Sequence, residues 1–201
     1  MISPKAQDAF YSRHQNNFIR LDKGKDEPDD NEQSNKYTRA AKDFNQWCND
    51  GVLQRESMPE IYIYEQIFKI EGKEYSRKGF LANIKLEELR TGHIFPHEQT
   101  LSRPKADRFN LMSACFANFS PVFFLYPEDE NEELSATMIL DANSTQGPDV
   151  SFTDDEGVKN VLWVVTDTNV IENLTKVMRS KPLFIADGHH RYETSLKYRT
   201  Q

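Results

Sequence analysis

The sequence predicts an α+β fold, a mixed arrangement in which helices flank a β-hairpin and a mixed sheet. Three observations carry that expectation. Tyr37, Ala40, Ala41, Phe44, Trp47 and Cys48 recur at helical spacing. Ile61 to Ile70 is a run of β-formers that turns through Glu71, Gly72 and Lys73 into a second such run over 75–84. Later, a strand–helix–strand order is written into 161–165, 169–178 and 183–186.

Taken in order, residues 4–14 read as a short helix, and Phe18, Ile19 and Leu21 as a strand or extended lead into the segment 22–35. That segment mixes acids, bases and Pro28 and predicts a solvated charged loop. The helix from Tyr37 turns its aromatic stripe to a core and ends near Gly51. After the hairpin a helical piece is expected at 86–89, then a polar loop over 90–100 punctuated by Phe95 and Pro96. Phe109, Met112, Ala114, Cys115 and Phe116 predict a helix over 105–119; Pro121 leads into a strand at 122–126, and acidic 128–133 makes a surface turn. A further strand is expected at 138–140. No internal repeat or low-complexity tract appears; length permits one large domain or two small ones, and 1–201 reads as part of a single domain of a longer protein.

Composition narrows the partners. The 25 Lys and Arg against 32 Asp and Glu leave a net charge of −7, which argues against broad binding to nucleic acid or to an anionic membrane. Cys48 and Cys115 lie far apart in helical patterns, so neither a disulfide framework nor a zinc knuckle is expected. No stretch reaches the ~18 apolar residues of a membrane span and the start lacks the apolar centre of a secretion signal, so a cytoplasmic protein is expected. The pattern over 184–201 opens a helix that stops at Gln201 without a glycine, asparagine or proline signal, and reads as truncated.

Chemistry concentrates in two places. In the run from Phe184 to Thr194, apolar residues end abruptly in Asp187, Gly188, His189, His190 and Arg191. A buried strand delivering a glycine turn to a helix start presents free backbone N–H groups and the positive end of the helix dipole, both suited to an anion. Arg191 adds a planar fork for phosphate oxygens. Asp187 can accept a hydroxyl proton or hold Mg²⁺, and either histidine can donate to a phosphoryl group or carry a proton near neutral pH. Asp-Gly alone would be an ordinary turn or helix cap; three large polar side chains straight after a buried strand are harder to attribute to packing.

The second place is the loop holding His93, His97, Glu98 and Thr100. His93 and His97 are four apart, but Pro96 between them argues against a helical two-histidine metal site. His97 and Glu98 read instead as a proton-transfer pair. Lys105 and Arg108, three apart on the next helix, can present positive charge on one side to an anionic substrate, although exposed salt bridges would account for them equally.

The residues Asn17-Phe18-Ile19-Arg20, Gly92-His93-Ile94-Phe95-Pro96-His97-Glu98-Gln99-Thr100, Ser120-Pro121-Val122-Phe123 and Ala186-Asp187-Gly188-His189-His190-Arg191-Tyr192-Glu193-Thr194 jointly resemble the bacterial and archaeal domain-of-unknown-function 1015 family. Members of that family run to about twice this length and open on a proline-tyrosine-aspartate segment, so the resemblance implies a fragment lacking both ends. The Asp-Gly-His-His-Arg run is also similar to the phosphate-binding signature of the ParB and sulfiredoxin superfamily, which includes free-serine kinases. That similarity implies that Gly188, His189, His190 and Arg191 cradle a phosphate with Asp187 near the reacting oxygen or metal.

The expected function is phosphoryl transfer, as kinase or phosphatase, on a small metabolite such as serine or phosphoserine. Asp187, His189, His190, His97 and Glu98 are the candidate catalytic residues; Gly188, Arg191, Thr100, Lys105 and Arg108 are the candidate phosphate or substrate holders. Mg²⁺ at Asp187 and ATP, ADP or another nucleotide are the expected cofactors. The alternative is a nucleotide-binding regulatory module that uses the same glycine turn and arginine without catalysis. A DNA-associated protein of the partition type is disfavoured by the acidic balance and by the lack of a recognisable helix-turn-helix.

Overall fold

The computed structural model describes residues 2–98, 102–129 and 131–200. Among these residues the chain forms seven helices and two sheets, an α+β fold. In order they are α1 (Pro4–Arg13), α2 (Ile19–Asp22), α3 (Lys36–Asn49), β1 (Ile61–Ile70), β2 (Lys73–Leu81), β3 (Ile94–Phe95), α4 (Ser102–Cys115), β4 (Phe123–Leu125), α5 (Ala136–Ala142), β5 (Val150–Thr153), β6 (Lys159–Val165), α6 (Thr168–Met178), β7 (Leu183–Asp187) and α7 (His189–Arg199). The chain divides into two compact units, one from segments 1–55, 96–124 and 185–201, the other from 56–95 and 125–184.

The second unit is built on an antiparallel sheet of order β2-β1-β6-β5. Alternation places Ile61 and Ile63 of β1 on one face, and the register that sets Ile63 opposite Trp163 and Ile61 opposite Val165 puts the apolar residues of β6 beside them. Ala136, Ile139 and Leu140 of α5 and Leu174 of α6 close over that face to complete the core. The hairpin turns at Glu71 and Gly72, both with positive φ (51° and 80°), the primed geometry that matches strand twist. A second sheet has the order β3-β7-β4, with β3 and β7 parallel and Ile94 opposite Leu183.

Three local expectations change here. Residues 138–140 lie in helix α5, because the Ser135 side chain caps the Met138 N–H at 3.2 Å and Ile139 and Leu140 are buried together while Met138 is exposed. A three-residue apolar run fits strand or helix equally, and the cap decides. Residues 86–88 have no regular structure. β5 was not foreseen, because its apolar–polar alternation runs over only four residues, all of them exposed; it pairs along one side of β6.

The first unit is mainly helical. α3 starts with a capping box between Asn35 and Thr38 and packs against α4, burying Ala40, Leu111 and Cys115, with Phe44 edge-on to Phe119 at 5.2 Å. Residues 19–22 form a short helix rather than a strand, since the Asn17 side-chain Oδ1 accepts the Ile19 N–H at 3.1 Å and Ile19 and Leu21 are buried. The chain from Lys23 to Asn35 has turns and bends but no regular element, and Arg39 reaches back to it, donating to Asp30 Oδ1 at 2.5 Å and to the Lys25 carbonyl at 2.8 Å. α4 ends at Cys115, four residues short of the expected stop, where Phe116 takes a φ of 53°. α7 packs on α4, and Tyr192 is buried edge-on to Phe124. Both cysteines are free, and burial pushes the Cys115 thiol up to about 11. Among the described residues no helix is long and apolar enough to cross a membrane.

Candidate functional site

All the polar geometry of interest lies in the helical unit. β7 runs from buried Ile185 to exposed Asp187 and hands the chain to α7 through Gly188. Gly188 has a φ of 97°, in the left-handed region that favours glycine. A Cβ there would also lie 2.9 Å from Nε and Nη2 of Arg191. The same glycine thus turns the backbone and makes room for the guanidinium. Arg191 folds back over the turn, donating from Nη1 to the Pro121 carbonyl at 2.6 Å and pairing with the Asp187 carboxylate. No side chain caps the start of α7, so its first backbone N–H groups point into the space before the helix.

The two sequence motifs meet at His189. Its ring is 2% exposed, and Nδ1 stands 3.1 Å from Glu98 Oε1. The His97 ring packs edge-on against it, with centroids 4.5 Å apart. Nδ1 of His97 lies 2.6 Å from the carbonyl of Ile185; since a carbonyl only accepts, Nδ1 must carry the proton there, leaving Nε2 with an open lone pair. The backbone N–H of His97 makes a long contact, 3.3 Å, to Nε2 of His189. Burial pulls the His189 imidazole below its ordinary range, and His97 adds to this, while the Glu98 carboxylate partly opposes it.

Beside this cluster opens a cleft of about 360 Å³, lined by Asp22, Lys23, Glu98, Asp107, Arg108, Ser120, Asp187, Gly188, His190 and Arg191. Arg108 is the fixed post of this cleft. It donates to Asp22 Oδ1 at 2.6 Å, to the Asp22 carbonyl at 2.9 Å and to Asp107 Oδ2 at 3.0 Å. Burial works against its charge, but the two carboxylates outweigh burial and hold it above the usual arginine range. Lys23 differs: it makes no ion pair among the described residues, and burial, followed by the neighbouring Arg108 charge, draws its ammonium below the ordinary lysine range.

The structure therefore brings His97, Glu98 and His189 into one cluster and sets Glu98, Asp187, Gly188, His190, Arg191 and Arg108 around one cleft. It does not bring Lys105 there: its ammonium pairs with Glu193 at 2.7 Å and it is not part of the lining. Thr100 lies outside the described residues. His93 belongs to the other unit, where its backbone N–H donates to Glu87 at 2.8 Å. Lys23, Asp22, Asp107 and Ser120 were missed from sequence. For the first two a signal existed, since buried Ile19 and Leu21 run directly into Asp22 and Lys23 much as Ile185 runs into Asp187.

Fold and site define an α+β protein whose helical unit carries a mixed-charge cleft beside an imidazole–carboxylate cluster. The chain belongs to the family described as protein of unknown function (DUF1015), which matches residues 1–201. No curated protein and no solved structure gives a significant match.

Proposed function

We propose that this chain carries the phosphate site of a cytoplasmic phosphoryl-transfer enzyme, a kinase or phosphatase acting on a small hydroxylated metabolite such as serine or phosphoserine. The observation that carries the reading is Lys23: a cation with a depressed pKa and no ion pair among the described residues, on a cleft that also receives Gly188, Arg191 and the open start of α7. An anion entering the cleft would relieve the mutual repulsion of Lys23 and Arg108 and accept from the α7 amides. The lining also holds four carboxylates, Asp22, Glu98, Asp107 and Asp187, so a phosphate accompanied by Mg²⁺ suits it better than a bare polyanion.

In a kinase reaction the substrate hydroxyl would give its proton to Asp187 as its oxygen takes the γ-phosphoryl group and ADP departs. In a phosphatase reaction water would take the place of that hydroxyl, and His97 with Glu98 would move the proton. His190 and Arg191 would neutralise charge on the transferring group, Arg191 exchanging Asp187 for phosphate oxygens.

Titration calorimetry with inorganic phosphate, ATP, ADP and phosphoserine, with and without Mg²⁺, tests this. Lys23→Gln is expected to weaken phosphate binding by about tenfold or more, the worth of one charge-assisted hydrogen bond. Equal affinity in the variant, or no binding by the parent chain, rejects the assignment. If ligand binds but no turnover is found with any of these compounds, the non-catalytic nucleotide-binding module takes its place.

A further inference from the structure

From the arrangement of His97, Glu98 and His189 we infer a binding site for one divalent transition-metal ion, of the zinc, cobalt or nickel class. Each of the three offers one ligand atom, and these atoms lie within 4.8 Å of one another, the sole such grouping of histidine, cysteine and carboxylate side chains among the described residues. Histidine–metal bonds of about 2.0 to 2.1 Å and carboxylate–metal bonds of about 2.0 to 2.2 Å place neighbouring ligand atoms about 3 to 3.5 Å apart around one ion. The 3.1 Å between His189 Nδ1 and Glu98 Oε1 already has that value.

The surroundings favour metal over a plain histidine–carboxylate pair. The Ile185 carbonyl holds the His97 Nδ1 proton, the outer hydrogen bond that fixes a metal-ligating imidazole and leaves its other nitrogen to bind. Ile185 is fully buried in β7, so the ring is oriented by the interior rather than by solvent. His189 is buried and Glu98 half exposed, which leaves one side of the cluster accessible for an ion to enter. Glu98 also lines the cleft, so an ion here would stand at its edge with coordination positions left for water or a ligand oxygen.

Two imidazoles and one carboxylate select the class of ion. Mg²⁺ prefers oxygen ligands and keeps its water, whereas imidazole suits the later first-row divalent ions. Loading through His189 Nδ1 moves that ring's remaining proton to Nε2, so the long contact with the His97 amide opens as the ion enters. The metal site needs no phosphate and is independent of the cleft's ligand.

The test is Co²⁺ titration of the chelator-treated chain in phosphate-free buffer, followed by visible absorption and calorimetry, with Mg²⁺ as a control. The expected result is one Co²⁺ per chain with new absorption bands, displaced by Zn²⁺ and not by Mg²⁺. His97→Ala and Glu98→Gln, both at exposed positions, are each expected to weaken binding by at least about 100-fold with an unchanged circular dichroism spectrum. Absence of stoichiometric binding, or binding that both folded variants retain, overturns the site. Because phosphate affinity is measured separately through Lys23→Gln, loss of one result leaves the other standing.

Discussion

In the sheet unit the apolar core holds Ile61, Ile63, Ile139, Leu140, Trp163 and Val165, whereas the helical unit sets Arg108, Asp107 and Asp22 in the lining of its cleft and His189 next to Glu98 at the cleft's side. The first set gains by leaving water and, apart from the Trp163 indole N–H that donates to the Gln146 carbonyl at 2.9 Å, asks only volume of its neighbours. The second set loses hydration and must be held by partners, which is why Arg108 is gripped by two carboxylates and a carbonyl, and why Tyr37 donates to Asp107 at 2.9 Å. Apolar packing builds the sheet unit. In the helical unit the stability of the site depends on charge pairing, and that pairing fixes the groups available to a ligand.

Substitutions can break that contrast. The largest expected effect is from Ile63→Ala, which opens a cavity at a fully buried position of β1 and should cost about 3 kcal/mol in denaturant titration. Phosphate affinity should be unchanged where the variant is folded; a parallel loss of affinity would show that the two units are not energetically separate. Arg108→Ala comes next. It leaves Asp22 and Asp107 without their shared cation and should cost about 2 kcal/mol, less than a fully buried pair because both carboxylates keep some solvent. Unlike Ile63→Ala it should also weaken phosphate binding, and calorimetry on the folded variant checks this.

Asp107→Asn sharpens the same point through pH. Burial raises the Asp107 carboxyl, but hydrogen bonds from Arg108 and Tyr37 and the charges of Arg108 and Lys36 overcome it and hold the group below the ordinary aspartate range. Such a carboxylate contributes stability above its unfolded pKa and loses it as pH falls through the lower folded value. The parent chain should therefore lose stability below about pH 4 more steeply than Asp107→Asn, measured as thermal midpoints across that range. Equal slopes would remove Asp107 from the charge network.

Much of the scaffold was legible from local pattern. The hairpin, α3, β6, α6 and β7 follow from periodicity and turn chemistry, because in each the neighbours that matter are close in sequence or the strand alternates cleanly. α2 and α5 were misread because short apolar runs do not declare their period, and a side-chain turn from Asn17 to Ile19 and the Ser135 cap settle the matter. In the site, the motifs name His97, Glu98 and His189 as candidates without placing them together, and the grip of Ile185 on His97 spans 88 residues and has no trace in either motif. Lys105 and Arg108 looked alike at helical spacing; they separate only because Glu193 claims one while Asp22 and Asp107 hold the other. Lys23 was hidden inside a stretch whose composition spoke only of solvent.

The turn at Gly188 carries a consequence for how this chain can vary. Most charges around the cleft are paired, Lys23 being the exception among the described residues, and a paired charge can be exchanged along with its partner. Gly188 has no such partner: any side chain there meets an unfavourable backbone angle and the Arg191 guanidinium at 2.9 Å in the same step. The guanidinium can swing aside, so it is the backbone angle at Gly188, which no change in a neighbour relieves, that opposes replacement there.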